Sequence, residues 1–193
     1  MLIVENDAAK VEADLAGGRV ACPGCGDVLA PWSFARRRFV RSDVLSCEVH
    51  PRRARCRRCA KTHVLLPHML LCRRVDVVAV IGRALTAAAE GAGCRRAAVL
   101  VGRPQSTVRG WLRRFRAVAA QLTVHFTVWA HRLDANLGPI VPSGSPIADA
   151  LAAIGAAARA ASLRFGPRPA WSWASALTGG MLLCNTSSPS KRS

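Results

Sequence analysis

The sequence predicts a small α+β protein, in which an N-terminal four-cysteine zinc ribbon is followed by a mainly α-helical region carrying a helix-turn-helix. Three observations predict it. Two CxxC pairs bracket a stretch of short, alternating segments. Near Asp76 the apolar spacing changes from every second residue to every third and fourth. A glycine, Gly102, then separates two helical patterns.

Taken in order, residues 1–19 form an N-terminal arm, with a short helix predicted over Asn6 to Leu15 and closed by Gly17 and Gly18. Residues 20–70 form the ribbon, where Leu45 to Val49 and Thr62 to Leu66 read as strands. Residues 74–134 form the helical domain. Its first helix carries Val77, Val80, Ile81, Ala84, Leu85 and Ala88 on one stripe and ends at Gly91 and Gly93. A second helix is predicted over Cys94 to Leu100. A third runs from Pro104 to Phe115 and continues toward Leu133, as one long helix or two broken ones. Residues 135–146 read as a linker from their Gly, Pro and Ser content. Residues 147–186 carry an Ala-rich helix, Ile147 to Leu163, and an apolar patch with Trp171, Trp173, Leu177, Met181 and Leu182. That patch reads as satellite core or as a homodimer surface. Residues 187–193 read as a disordered tail.

The cysteines carry the strongest chemical signal. Zn²⁺ takes four soft donors in a tetrahedron, and each CxxC turn supplies two thiolates from one tight loop. Cys22 and Cys25 form one such turn, Cys56 and Cys59 the other. Four thiolates close the coordination shell, so the ion is expected to be structural rather than catalytic. Arginines beside Cys56 and Cys59 offset the net negative charge of the centre. Cys47, Cys72, Cys94 and Cys184 read as small buried or partly exposed thiols, with Cys47 the nearest substitute ligand; His50, His63 and His68 read as strand or surface residues.

Charge points to the partner. Twenty-eight Lys and Arg against eleven Asp and Glu give a net charge of +17, which favours polyanions. The charge is concentrated: ten basic and two acidic residues lie between Arg36 and Lys61. No apolar run reaches the roughly eighteen residues of a membrane span, and the N-terminus lacks the order of a signal peptide. The expected location is therefore cytoplasmic and nucleoid-associated, with no membrane partner.

The second signal is the segment from Cys94 to Phe115. Its third-helix portion buries Val108, Trp111, Leu112 and Phe115 and leaves Gln105, Ser106, Arg109 and Arg113 facing outward. A helix fits the major groove, where Gln and Arg make paired hydrogen bonds to base edges. The segment resembles the helix-turn-helix of transposases, resolvases and related bacterial regulators, through Ala98, Gly102, Ser106, Thr107, Val108, Trp111 and Leu112. The resemblance implies that Ala98 sits at the helix crossing and that Gln105, Ser106 and Arg109 read bases. It assigns Arg95, Arg96, Arg103, Arg113 and Arg114 to phosphates. Pro104 departs from the pattern, where the family often has a capping Ser or Thr, and so does Gly110 inside the recognition helix.

The wider arrangement resembles an uncharacterised actinobacterial family with a CPxCG knuckle, an Arg-rich strand pair, a second knuckle leading into THVLLP and a helix-turn-helix. Cys22 to Gly26, Arg52 to Pro67 and Arg73 to Phe115 carry that likeness, and the family looks like the amino-terminal targeting region of insertion-sequence transposases. The implied partner is double-stranded DNA, with Arg52, Arg53, Arg57 and Arg58 of the ribbon as further phosphate contacts. After the recognition helix only Asp134 and Asp149 remain as acids, too few for a two-metal phosphodiester centre. The expectation is a DNA-binding protein without a catalytic domain. Nonspecific nucleic-acid binding, or an inactive transposase remnant or adaptor, is the alternative.

Overall fold

A computed structural model describes residues 1–43 and 46–184. Six strands and six helices lie among them, in the order β1 Leu2–Val4, α1 Ala8–Ala16, β2 Leu29–Phe34, β3 Arg38–Arg41, β4 Ser46–Val49, β5 Arg52–Cys56, β6 Thr62–Pro67, α2 Val78–Ala89, α3 Cys94–Val101, α4 Gln105–Leu133, α5 Pro146–Phe165 and α6 Ala170–Leu177. The predicted tail and the first residue of the strand predicted from Leu45 lie outside the described residues.

The N-terminal half is a four-stranded sheet, ordered β1-β6-β5-β2, with a separate β3-β4 hairpin. β1 runs parallel to β6, Leu2 opposite Leu65, while β5 pairs antiparallel with both β6 and β2. The N-terminal helical arm packs on the sheet: Val11 and Leu15 of α1 share one buried cluster with Cys22, Leu29, Ala54, Cys56 and Leu65. Helix α1 starts where Asp7 Oδ1 accepts hydrogen bonds from the backbone N–H of Ala9 at 2.9 Å and Lys10 at 3.4 Å, an N-cap that satisfies otherwise orphaned donors.

The helical half is built around α2. Val78, Val80, Ile81, Gly82, Ala84, Leu85 and Ala87 are all buried, so α2 is apolar on most of its circumference, as a central helix must be. Helix α3 ends at Gly102, whose φ of 60° and ψ of 40° are left-handed and favour glycine. Helix α4 then runs unbroken for 29 residues. The buried side predicted for it is observed, with Val108, Trp111, Leu112 and Phe115 continued by Ala119, Leu122, Phe126 and Ala130.

The stretch 135–146 is irregular, but Leu137 and Ile140 pack on the core, and Ser143 donates from N and Oγ to Asp149 Oδ1 at 2.6 and 2.7 Å. Helix α5 is long and apolar enough to cross a membrane by length and composition; half of that span is buried within the molecule. The C-terminal patch resolves as core: Leu182, Leu183 and Trp171 join the main cluster, and Trp173 packs with Ala158 and Ala161. The segment after α6 returns to the ribbon, where Gly180 lies against Ile3 and Leu66 and its carbonyl accepts from Cys72 N at 2.8 Å.

A buried carboxylate is among the polar contacts that join the halves. Asp76, 3% exposed, precedes α2 and receives Arg41 Nη2 at 3.0 Å and Arg103 Nε at 2.6 Å. Arg103 Nη2 also donates to the Ser42 carbonyl at 2.8 Å, so the end of β3 is fixed to the turn before α4.

Two substitutions test this packing. A Cβ on Gly82 would stand 2.1 Å from the Trp171 indole, so Gly82→Ala is expected to lower stability by about 1–3 kcal/mol, and Trp171→Leu in the same chain should recover part of it. Chemical denaturation of the single and double variants measures both. Asp76→Ala leaves two guanidinium groups without their buried counter-charge and should cost about 3–5 kcal/mol. An unchanged denaturation midpoint would refute the joint.

Candidate metal centre and basic surface

Each cysteine pair sits on a short turn at the end of the sheet. In the first, Gly26 N donates to the Cys22 carbonyl at 2.9 Å, with Gly26 at φ 75°, and Gly24 N points to Cys22 Sγ at 3.4 Å. In the second, Cys59 N points to Cys56 Sγ at 3.4 Å. The antiparallel pairing of Leu29 with Cys56 brings the turns together.

All four sulfurs of Cys22, Cys25, Cys56 and Cys59 lie within 4.8 Å of one another. The Cys22–Cys59 separation is 3.7 Å and the Cys25–Cys56 separation 3.4 Å. A tetrahedral Zn²⁺ with bonds of about 2.3 Å has sulfur–sulfur edges of about 3.8 Å. The set therefore fits a zinc-sized ion. The Cys59 backbone N–H leads the effects that draw the Cys56 thiol down to about 7, against desolvation. The Asp27 backbone lowers Cys25, but Cys56, burial and the other thiols outweigh it and push Cys25 up to about 12. Thiols this close cannot all ionise unless a cation neutralises them.

The surroundings suit that charge. A Cβ on Gly24 would stand 3.8 Å from Cys22 Sγ and 3.9 Å from Lys61 Nζ, so the ammonium lies over the first turn. His63 Nε2 is 3.4 Å from Cys22 Sγ, and in the Nε2-protonated tautomer the ring donates to it. Burial, then the N-terminus and Lys61, lowers the His63 pKa. The sequence reading missed this role; the alternation of Thr62 to Leu66, which turns His63 inward beside Ala54, was the available signal. His50 instead stacks on Phe34, with ring centroids 4.5 Å apart, and His68 is buried beside Glu5. Cys47 is exposed on β4, outside the cluster.

The predicted nucleic-acid contacts divide into two groups. Gln105, Ser106, Arg109 and Arg113 are exposed on α4, Arg95 and Arg96 on α3, and Arg57 and Arg58 on the second turn. No side chain caps the start of α4, because Pro104 precedes it, and the first-turn N–H groups lack a side-chain acceptor. The other arginines have structural duties. Arg103 is turned inward to Asp76 and Ser42, because its side chain reaches a buried carboxylate that its place beside the turn did not reveal. Arg114 folds back onto the Gly110 carbonyl at 3.1 Å, and the missing Cβ of Gly110 makes room for it. Arg52 pairs with Glu12 at 2.7 Å and covers Phe34, and Arg53 Nη2 donates to Thr62 Oγ1 at 3.4 Å. Asp134 and Asp149 act locally, accepting from Asn136 N and from Ser143; hydrogen bonds from Ser143 hold Asp149 below the usual carboxylate range.

Metal removal tests the centre. Zinc titration of the chelated protein should saturate at one ion per chain, and Cys56→Ser should abolish that stoichiometry and unfold the ribbon while helical circular dichroism persists. Full ribbon structure in a zinc-free sample would refute the assignment.

No curated protein and no solved structure matches the chain significantly. Residues 22–111, which are 90 of the 193 residues and run from the first clustered cysteine into the opening turns of α4, match the family described as Domain of unknown function (DUF6431).

Proposed function

We propose that this is a zinc-dependent DNA-binding protein, transposase-like or a transcriptional regulator, with no catalytic domain of its own. Zinc holds the ribbon together as a structural ion. Helices α3 and α4 act as a helix-turn-helix, with α4 as the recognition helix entering the major groove of double-stranded DNA.

The observation that carries this reading is the start of α4. Gln105, Ser106, Arg109 and Arg113 are exposed together, while Val108, Trp111, Leu112 and Phe115 are buried on the opposite side. Arg109 and Arg113 have no side-chain partner among the described residues, although the chain has acids to offer elsewhere. Gln and Arg on one face match the donor and acceptor edges of bases. The uncapped first turn adds N–H groups and the positive end of the helix dipole toward a phosphate.

The ribbon supports the same reading by charge. Arg57 and Arg58 are exposed beside the cysteines, and β3, preceded by the exposed Arg36, is tied to the turn before α4 through Asp76 and Ser42. Arg95, Arg96, Arg57, Arg58 and Arg113 are the phosphate contacts this arrangement favours. Arg103 and Arg114 hold the protein's own backbone and carboxylate instead. Each phosphate neutralised releases condensed counterions, so affinity should fall steeply with salt.

Capture of genomic fragments on the metal-loaded protein, followed by sequencing, tests the proposal. The expected result is a shared motif for the native chain, lost in Arg109→Ala, which retains weaker, salt-sensitive binding; one base-pair contact of this kind is worth about 1–3 kcal/mol. Unaltered selectivity in Arg109→Ala would reject α4 as the reading helix.

A further inference from the structure

We propose a second nucleic-acid site, on the outer face of the ribbon, in which Trp32 stacks an unpaired base of a single-stranded nucleic acid and the arginines around it hold the sugar-phosphate backbone. Trp32 lies apart from the recognition helix and the site does not depend on that helix reading bases, although Arg57 and Arg58 border it and also serve the duplex contacts proposed above.

Trp32 is the extra residue of a β-bulge. Pro31 pairs with Ala54 and Ser33 with Arg53, so Trp32 has no residue opposite it on β5. Bulges re-aim a side chain out of the regular alternation. Strand β2 is also an edge of the sheet, so no strand covers its far side. The outcome is a tryptophan 55% exposed, on a strand whose Leu29 is fully buried.

Its surroundings are cationic. The Arg55 guanidinium lies 4.8 Å from the ring centroid of Trp32, and Arg55 Nε is anchored on the Ala60 carbonyl at 3.3 Å. Arg53 shares the strand face of Arg55, which is opposite to that of the buried Ala54 and Cys56. Arg57, Arg58 and Lys61 are exposed on the adjoining turn. An apolar protein partner would have to strip water from several guanidinium groups to reach the indole. A single strand does not. Its phosphates neutralise the arginines, and every base offers a flat π face to the ring, the pairing found in sequence-tolerant single-strand sites. In a duplex the bases are stacked on one another and leave no face free, which is why the occupant is single-stranded.

The test uses the full-length, zinc-loaded chain with fluorescent oligomers of dT and of rU about 12 nucleotides long and a random-sequence duplex. The native protein should bind the single strands with strong salt dependence. Trp32→Ala should weaken that binding roughly tenfold, Trp32→Phe by less, and neither should change duplex affinity or zinc content. A preference between dT and rU identifies which nucleic acid the site takes. Single-strand binding equal to the native chain's in Trp32→Ala would overturn the proposal, as would equal losses for single strand and duplex, or no single-strand binding by the native protein. Arg109→Ala, measured in parallel, should leave single-strand affinity unchanged, which separates failure of this site from failure of the recognition helix.

Discussion

Two arginines on one buried carboxylate hold this molecule in its shape. The ribbon and the helical bundle are each cationic, and two such bodies repel when brought together in a medium of reduced dielectric. Asp76 answers this from between them, drawing Arg41 from the hairpin and Arg103 from the turn before α4. A buried ion pair is weak evidence for net stability, but it is strongly directional, because two guanidinium groups must find two oxygens of one group. Its effect is therefore on arrangement. The cysteine cluster, the hairpin and the start of α4 stand in one fixed relation, secured again by α6, where Ser175 Oγ donates to the Leu70 carbonyl, and by the segment after it, where the Leu183 carbonyl accepts from Arg74 Nη2.

The features legible in the sequence were those set by local spacing. The four clustered cysteines follow from two tight turns, and α2 and α4 follow from apolar periodicity that survives into long helices. What was hidden depends on partners distant in the chain. Strand β1 has three residues and no pattern of its own; it exists because β6 offers a parallel edge more than sixty residues later. Strands β2 and β5 are obscured by Pro31 and by arginines whose purpose is on the surface. Arg103 looks like a phosphate contact by its place beside the turn, and only the fold reveals that Asp76 waits for it. Gly110 reads only as a departure from the helix-turn-helix pattern until Arg114 is seen lying against its backbone.

Charge in this chain consequently has two employments that composition alone cannot separate. Some arginines are internal fasteners, such as Arg41 on Asp76 and Arg168 on Glu5. Others, including Arg57, Arg58, Arg95, Arg96, Arg109 and Arg113, project into solvent without a counter-charge among the described residues. Only the second group can be given to a polyanion without dismantling the fold, and its members flank the second cysteine turn and the first turns of α3 and α4.

The unbroken course of α4 has a mechanical meaning. At 1.5 Å per residue its 29 residues make a rod of about 43 Å, with the exposed Gln105 and Arg109 at one tip and the corner at Asp134 at the other. Helix α5 is laid along that rod and buries much of its alanine-rich side in the shared core. A tilt of about 10° at the tip would swing the opposite corner by about 7 Å over such a length. Any body attached near Asp134 would thus be steered by how the tip is seated, as a pointer is by its pivot.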